Sequence, residues 1–164
     1  MNVRRLLFVQ HPADRMYDLI EGAEYYPEFL PWCAGVTVLE RTEHVVAATL
    51  AVDWHGVRLD FTTRNRKRRP EWLELALVTG PFRHFDGEWQ LKPLGAQGCR
   101  IDFALDYVFA SELLGRVAGP IFERITNTLV DAFVKRADAL GDRIPAPRQV
   151  APAAPGTQLP REDP

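Results

Sequence analysis

Between residues 46 and 109 apolar and polar side chains alternate with a period of two, and after residue 111 the period changes to three or four. Val46, Ala48, Leu50, Val52 and Trp54 open the alternation. Val57, Leu59, Phe61 and Thr63 then stand against Arg58, Asp60, Thr62 and Arg64. Leu73, Leu75 and Leu77 follow, then Phe85, Trp89 and Leu91. Ile101, Phe103, Leu105, Tyr107 and Phe109 close the series against Arg100, Asp102 and Asp106. Successive side chains of a strand point to opposite faces, so this pattern predicts an antiparallel sheet with one face buried and one face wet. His55-Gly56, the break at Arg69-Pro70 and Gly95-Ala96-Gln97-Gly98 supply the turns.

Ser111 is a good helix N-cap, and Glu112 in the first turn favours the helix dipole. Leu114, Val117, Ile121, Ile125, Leu129, Ala132 and Arg136 recur at helical spacing, which predicts one amphipathic helix to about Leu140 with its apolar stripe on those positions. Gly119-Pro120 should bend that helix or divide it in two. Upstream, residues 3–9 read as a first strand. Pro12, Met16, Leu19 and Ile20 mark a helix that Gly22 ends, and a second short helix is expected from Glu24 toward Leu30. A long amphipathic helix after a meander can bury its stripe only in the concave face of the sheet. The fold class is therefore α+β, in a helix-grip arrangement. A curved antiparallel sheet of about seven strands wraps around the long C-terminal helix, with two short helices after strand 1.

Composition changes after Gly141, where the last 23 residues hold six of the thirteen prolines and few large apolar side chains. Such a segment buries too little surface to offset its ordering entropy. The expected division is a folded domain over residues 1–141 and a Pro/Ala-rich disordered tail over 142–164. The apolar run at residues 6–9 is too short for a signal peptide, and no window reaches the roughly 18 apolar residues of a membrane-spanning helix. A cytoplasmic protein is expected, peripheral to a membrane at most. The net charge of −2 gives no global attraction to nucleic acid, and DNA is not an expected partner.

The chain has no P-loop, GxGxxG, GxSxG, HExxH or CxxC motif. His11, His44, His55 and His84 are scattered, and His84 falls by parity on the wet face. Asp86, Glu88, Asp102 and Asp106 fall there too, whereas general acid–base work needs a carboxylate inside a cleft. Cys33 and Cys99 read as two reduced, half-buried thiols, not as a disulfide or metal pair. Neither catalysis nor a metal site is expected. Two segments stand out. Residues 25–33 pack Tyr25, Tyr26, Phe29 and Trp32 with two prolines into nine positions, which makes a core plug or the rim of an apolar pocket. Arg64, Arg66, Lys67, Arg68 and Arg69 put five cations into six positions, either a solvated hairpin end or a docking patch for polyanions.

Five segments resemble a known family, the RatA ribosome-association toxins and mitochondrial coenzyme Q-binding proteins of the START-related, polyketide cyclase-like superfamily. They are Met16-Tyr17-Asp18-Leu19, Tyr26-Pro27-Glu28-Phe29-Leu30-Pro31-Trp32-Cys33, Phe61-Thr62-Thr63-Arg64-Asn65, the GPF…GEW stretch from Gly80 to Trp89, and the helix end from Leu129 to Ala137. The resemblance implies a START-like fold with a deep apolar tunnel. Its first implied function is non-catalytic binding of an isoprenoid ligand such as ubiquinone, in support of cellular respiration. No cofactor is required, and contact with the inner membrane would be peripheral. Phe29, Trp32, Phe61, Phe85, Trp89, Phe122, Ile125 and Leu129 would line the tunnel, and Gly115 with Gly119-Pro120 would let the helix start flex as a gate. The alternative is a toxin that binds the large ribosomal subunit through Arg64, Arg66, Lys67, Arg68 and Arg69 and blocks subunit association. A polyketide aromatase or cyclase shares the fold but calls for an inward acid–base pair that is not evident here. The basic run and the proline-rich tail are both departures from the family pattern.

Overall fold

In the computed structural model, which describes residues 1–148, the elements are β1 (Asn2–Val9), α1 (Ala13–Glu21), a 3₁₀ helix (Ala23–Glu28), β2 (Cys33–Arg41), β3 (Val45–Trp54), β4 (Val57–Arg68), β5 (Trp72–Thr79), β6 (Phe82–Leu94), β7 (Gly98–Phe109) and α2 (Glu112–Leu140). A 3₁₀ turn, Gly141–Arg143, follows. The strands form one antiparallel sheet in the order β1-β7-β6-β5-β4-β3-β2. Strands β2 to β7 are a simple meander, and β1 closes it by pairing with β7, Val3 opposite Leu105. α1 and the 3₁₀ helix link β1 to β2, the two edges of the sheet.

The alternation is cleanest in β7, where Cys99, Ile101, Phe103, Leu105, Tyr107 and Phe109 are all buried and their neighbours are not. Each large apolar side chain buried this way contributes about 1.5–3 kcal/mol. The β3–β4 hairpin turns on His55 (φ 49°) and Gly56 (φ 81°), both left-handed, as a two-residue turn that matches strand twist requires. At Gly80 (φ 158°) a Cβ would lie 2.7 Å from that of Phe61, so only glycine lets the β5–β6 turn sit this close to β4.

α2 starts as expected, the Ser111 Oγ accepting from the Leu114 N–H at 3.1 Å. The helix is not divided at Gly119-Pro120 and runs unbroken from Glu112 to Leu140. Its buried face is Ala118, Phe122, Ile125, Thr126, Val130, Phe133 and Ala137, a stripe rotated from the expected one and sharing Ile125 with it; Leu114, Ile121, Leu129 and Ala132 are partly buried along its flank, and Val117 is 60 % exposed. Small residues at 118, 126 and 137 let the helix approach the sheet closely, while Phe122 and Phe133 fill the space between. Arg5 on β1 fastens the helix from the outside. It donates to the Asn127 carbonyl at 3.2 Å and to both oxygens of Asp131 at 3.0 Å.

The domain also extends past Gly141. Ile144 is buried, and the Arg148 carbonyl accepts from Arg41 Nη1 at 2.7 Å while its guanidinium lies 5.5 Å from the Tyr25 ring. Residues 142–148 therefore pack on the domain instead of beginning a tail; the rest of the expected tail, 149–164, lies outside the described residues. No helix among the described residues is long and apolar enough to cross a membrane.

Candidate ligand cavity and its polar end

α2 lies across the inner face of the sheet, and between them is an apolar cavity of about 100 Å³. Seven of the eight expected lining residues surround it: Trp32, Phe61, Phe85, Trp89, Phe122, Ile125 and Leu129. Phe29 does not. Its ring packs edge-on against Tyr26 and Phe133, at 6.1 and 5.5 Å, and Arg136 covers it at 5.3 Å, so it backs the wall instead of facing the space. Phe103, Tyr26 and Phe133 line the cavity although none was picked out as a wall residue from the sequence. Parity in β7 could have found Phe103; Phe133 was missed because the helix stripe was phased on the aliphatic positions.

Strand β4 gives the cavity a direction. Its inward row reads Phe61, Thr63, Asn65, Lys67, a span of roughly 20 Å from aromatic to charged. At one end Phe61 meets Phe82, Phe85 and Phe122 with ring centroids 5.6–6.4 Å away. At the other, Lys67 is buried and pairs with Glu21, the last residue of α1. Lys67 thus leaves the expected basic patch, because it shares its parity with Phe61. Arg41, at the end of β2, bonds Glu24 Oε2 at 2.5 Å and the Glu21 carbonyl at 3.1 Å, and its Nε is 3.8 Å from Glu21 Oε1. Two carboxylates and two cations balance. Glu21, Thr63 and Asn65 face the cavity, and Asn65 Oδ1 is sealed from solvent without a hydrogen-bond partner.

The rest of the basic run is on the surface, and each cation has a carboxylate: Arg64 with Glu40 (3.4 Å), Arg66 with Glu74 (3.3 Å), Arg68 with Glu71 (3.4 Å) and Arg69 with Asp18 (2.8 Å). Asp18 also raises the pKa of Arg69, chiefly through that hydrogen bond. His84 and Asp86 are exposed. Asp102 pairs with Arg100 at 3.0 Å and Asp106 with Arg4 at 3.7 Å. Among the described residues no three His, Cys, Asp or Glu side chains converge as metal ligands would.

Both cysteines are free and fully buried, not half-buried as read from the sequence. Burial pushes each thiol up to about 11 from an ordinary 9. The fold holds the neutral form, so this contribution is whole below about pH 9 and disappears as pH rises through about 11. Denaturant midpoints should be flat from pH 7 to 9 and fall between 9 and 11, and neither thiol should react with a disulfide reagent at pH 8 until the chain unfolds.

The first turns of α2 pack lightly. Leu113 is 70 % exposed, and Ala118 is the first residue of the helix to be fully buried. A Cβ added at Gly115 meets only carbons of Phe109, at 3.9 Å, which is ordinary contact. Gly115→Ala should therefore stabilise the helix by about 1 kcal/mol. Amide exchange over residues 112–121 should slow about five-fold if this segment opens by local unfolding.

A curved sheet gripping one long helix around an apolar cavity defines a helix-grip domain of the START type, a hydrophobic-ligand-binding fold. The profile of the family described as polyketide cyclase / dehydrase and lipid transport matches residues 9–134, and the chain belongs to that family. The chain is 38% identical over 139 residues to "Ribosome association toxin RatA" of Pseudomonas aeruginosa, covering 85% of this chain and 96% of that one. It is 27% identical over 143 residues to "Coenzyme Q-binding protein COQ10 homolog B, mitochondrial" of Xenopus laevis, covering 84% and 58%. Among solved structures, the Zhui aromatase/cyclase of Streptomyces sp. R1128 superposes with a TM-score of 0.71 at 21% identity, over 84% of this chain and 93% of that one. The family resemblance drawn from the residues holds, and the structural likeness to an aromatase/cyclase shows the fold alone.

Proposed function

We propose that this protein encloses a hydrophobic ligand of the isoprenoid quinone class, ubiquinone being the candidate, and presents it without transforming it. The observation that carries the reading is the apolar cavity walled by Trp32, Phe61, Phe85, Trp89, Phe122, Ile125 and Leu129. Its volume of about 100 Å³ is below the roughly 150 Å³ that holds a bare benzene ring, so a substituted ring headgroup requires the walls to move apart. A full isoprenoid tail needs more room, which the lightly packed start of α2 could yield by moving. The carboxylate on the wall, Glu21, is tied to Lys67, which disfavours acid–base chemistry and supports a binder over a cyclase. Such a protein would work in the cytoplasm, touching the inner membrane peripherally to collect or deliver its ligand. Mass spectrometry of an organic extract, from protein purified out of a quinone-producing host, tests this. A stoichiometric isoprenoid quinone is expected; an empty extract together with failed reloading would sink the reading.

A second reading, a toxin that blocks association of the ribosomal subunits, is favoured by the name of the Pseudomonas relative. Arg64, Arg66, Arg68 and Arg69 would meet ribosomal RNA, exchanging their carboxylate partners for phosphate, and binding would weaken steeply with salt. Cosedimentation of Arg66→Glu/Arg68→Glu with large subunits should then fall at least ten-fold. Unchanged cosedimentation excludes these residues as the contact.

A further inference from the structure

We infer that the polar end of the cavity is a charge-balanced seat for an uncharged oxygen head, so that the ligand is an alcohol, ketone, quinone or phenol and not a carboxylic acid such as a fatty acid. This rests on the proposal that the cavity takes a ligand. Among the described residues that line the cavity, Glu21 is the only charged one. An entering carboxylate would therefore meet another carboxylate and no cation. The cations behind the wall are already committed, Lys67 to Glu21, and Arg41 to Glu24 and to the carbonyls of Glu21 and Arg148. Drawing Lys67 toward a ligand would strand Glu21, whose side chain is 5 % exposed. Leaving Lys67 in place would set three carboxylates against two cations, a net charge with little water to screen it.

An uncharged head finds partners here. The Thr63 hydroxyl and the Asn65 amide stand two positions apart on the inward row of β4, and no hydrogen bond among the described residues engages either side chain. Asn65 Oδ1 is sealed from solvent with nothing to accept from, and such atoms are rare in native structures because each is costly. The other hydroxyls on the wall are taken, Thr126 donating to the Phe122 carbonyl at 3.1 Å and Tyr26 to the Ile20 carbonyl. An amide and a hydroxyl each both donate and accept. A ligand hydroxyl can donate to Asn65 Oδ1, and a ligand carbonyl can accept from the Asn65 amide or the Thr63 hydroxyl. The seat thus does not sort alcohol from ketone, or hydroquinone from quinone. It sorts neutral from anionic, and the apolar part of the ligand lies along the same row toward Phe61.

Calorimetric titration of the full chain at pH 7.5 with 1-octanol, 2-octanone and octanoate, which share a chain length and differ in head, tests the seat. Octanol and octanone should bind within about three-fold of each other, and octanoate, ionised at this pH, about ten-fold or more weakly than either. Any apolar cavity disfavours an anion, so two variants carry the test further. Glu21→Gln leaves two cations against one carboxylate, and its ratio of octanoate to octanol affinity should rise about ten-fold or more. Thr63→Val/Asn65→Leu should bind octanol and octanone about ten-fold more weakly, whereas p-xylene, which has no head to seat, should still bind and show that the variant is folded. Octanoate held as tightly as octanol by the wild type, or an unchanged ratio in Glu21→Gln, overturns the charge exclusion. A gap of about ten-fold between octanol and octanone, or unchanged octanol affinity in Thr63→Val/Asn65→Leu, overturns the seat. Each of these leaves the cavity reading standing, and a wild-type protein that takes up none of the four compounds overturns both. Should Glu21→Gln fail to fold, the titrations of the wild type and of Thr63→Val/Asn65→Leu still decide.

Discussion

Lys67→Met is expected to destabilise the domain by about 3–5 kcal/mol, far more than a surface lysine would. The side chain is 8 % exposed and its ammonium faces a carboxylate equally cut off from water. Removing the cation leaves that carboxylate buried with only the Arg41 Nε, 3.8 Å away, to offset it, which places the loss toward the lower end of the range. In urea the midpoint should drop by about 1–3 M with little change in slope. The companion Glu21→Gln/Lys67→Met should recover most of the loss, since two matched neutral groups cost less than one stranded charge. A double variant as unstable as Lys67→Met would show that the lysine stem, and not the ion pair, matters here.

Phe133→Ala should cost a similar 3–5 kcal/mol for a different reason. Phe133 is 1 % exposed, and its ring meets those of Tyr26, Phe29 and Trp89 edge-on at 5.4–5.5 Å. Truncation loses those contacts and leaves a void continuous with the existing cavity. The variant should therefore take up p-xylene more tightly than the parent and regain part of its thermal stability when it does. Thermal unfolding with and without p-xylene checks both parts. A loss that p-xylene does not reduce would mean the wall collapses inward instead of opening.

The sheet was legible because both of its signals are local. Alternation in β4, β6 and β7 names the inward face, and the residues at 55–56 and 95–98 can turn where others cannot. The helix was legible in extent and not in phase. Its most prominent aliphatics, Leu114, Val117 and Ile121, sit on the flank or in solvent, and the true contact face runs through Ala118, Thr126 and Ala137, residues chosen for smallness. Closeness of approach leaves no hydropathy signal. The polar end of the cavity hid differently. Parity that puts Phe61 inward also puts Asn65 and Lys67 inward, but five cations in six positions read as a surface run. Only the tertiary pairing of Lys67 with Glu21, 46 positions away, reveals the exception. Phe29 shows the converse, an aromatic in the right segment whose facing direction depends on Phe133 and Arg136 from α2.

The pairing of β1 with β7 carries a consequence for how the chain is made. Val3 meets Leu105, so β1 leaves the ribosome about a hundred residues before its partner. At roughly 5–20 residues per second that is a wait of about 5–20 s with Leu6, Leu7, Phe8 and Val9 unpaired. No N-terminal fragment that stops short of residue 98 contains the seam, and α2 is synthesised after it. The cavity is thus the last part of the domain to acquire its roof. On the proposed reading, a ligand would enter during that final closure or through a later movement of the start of α2.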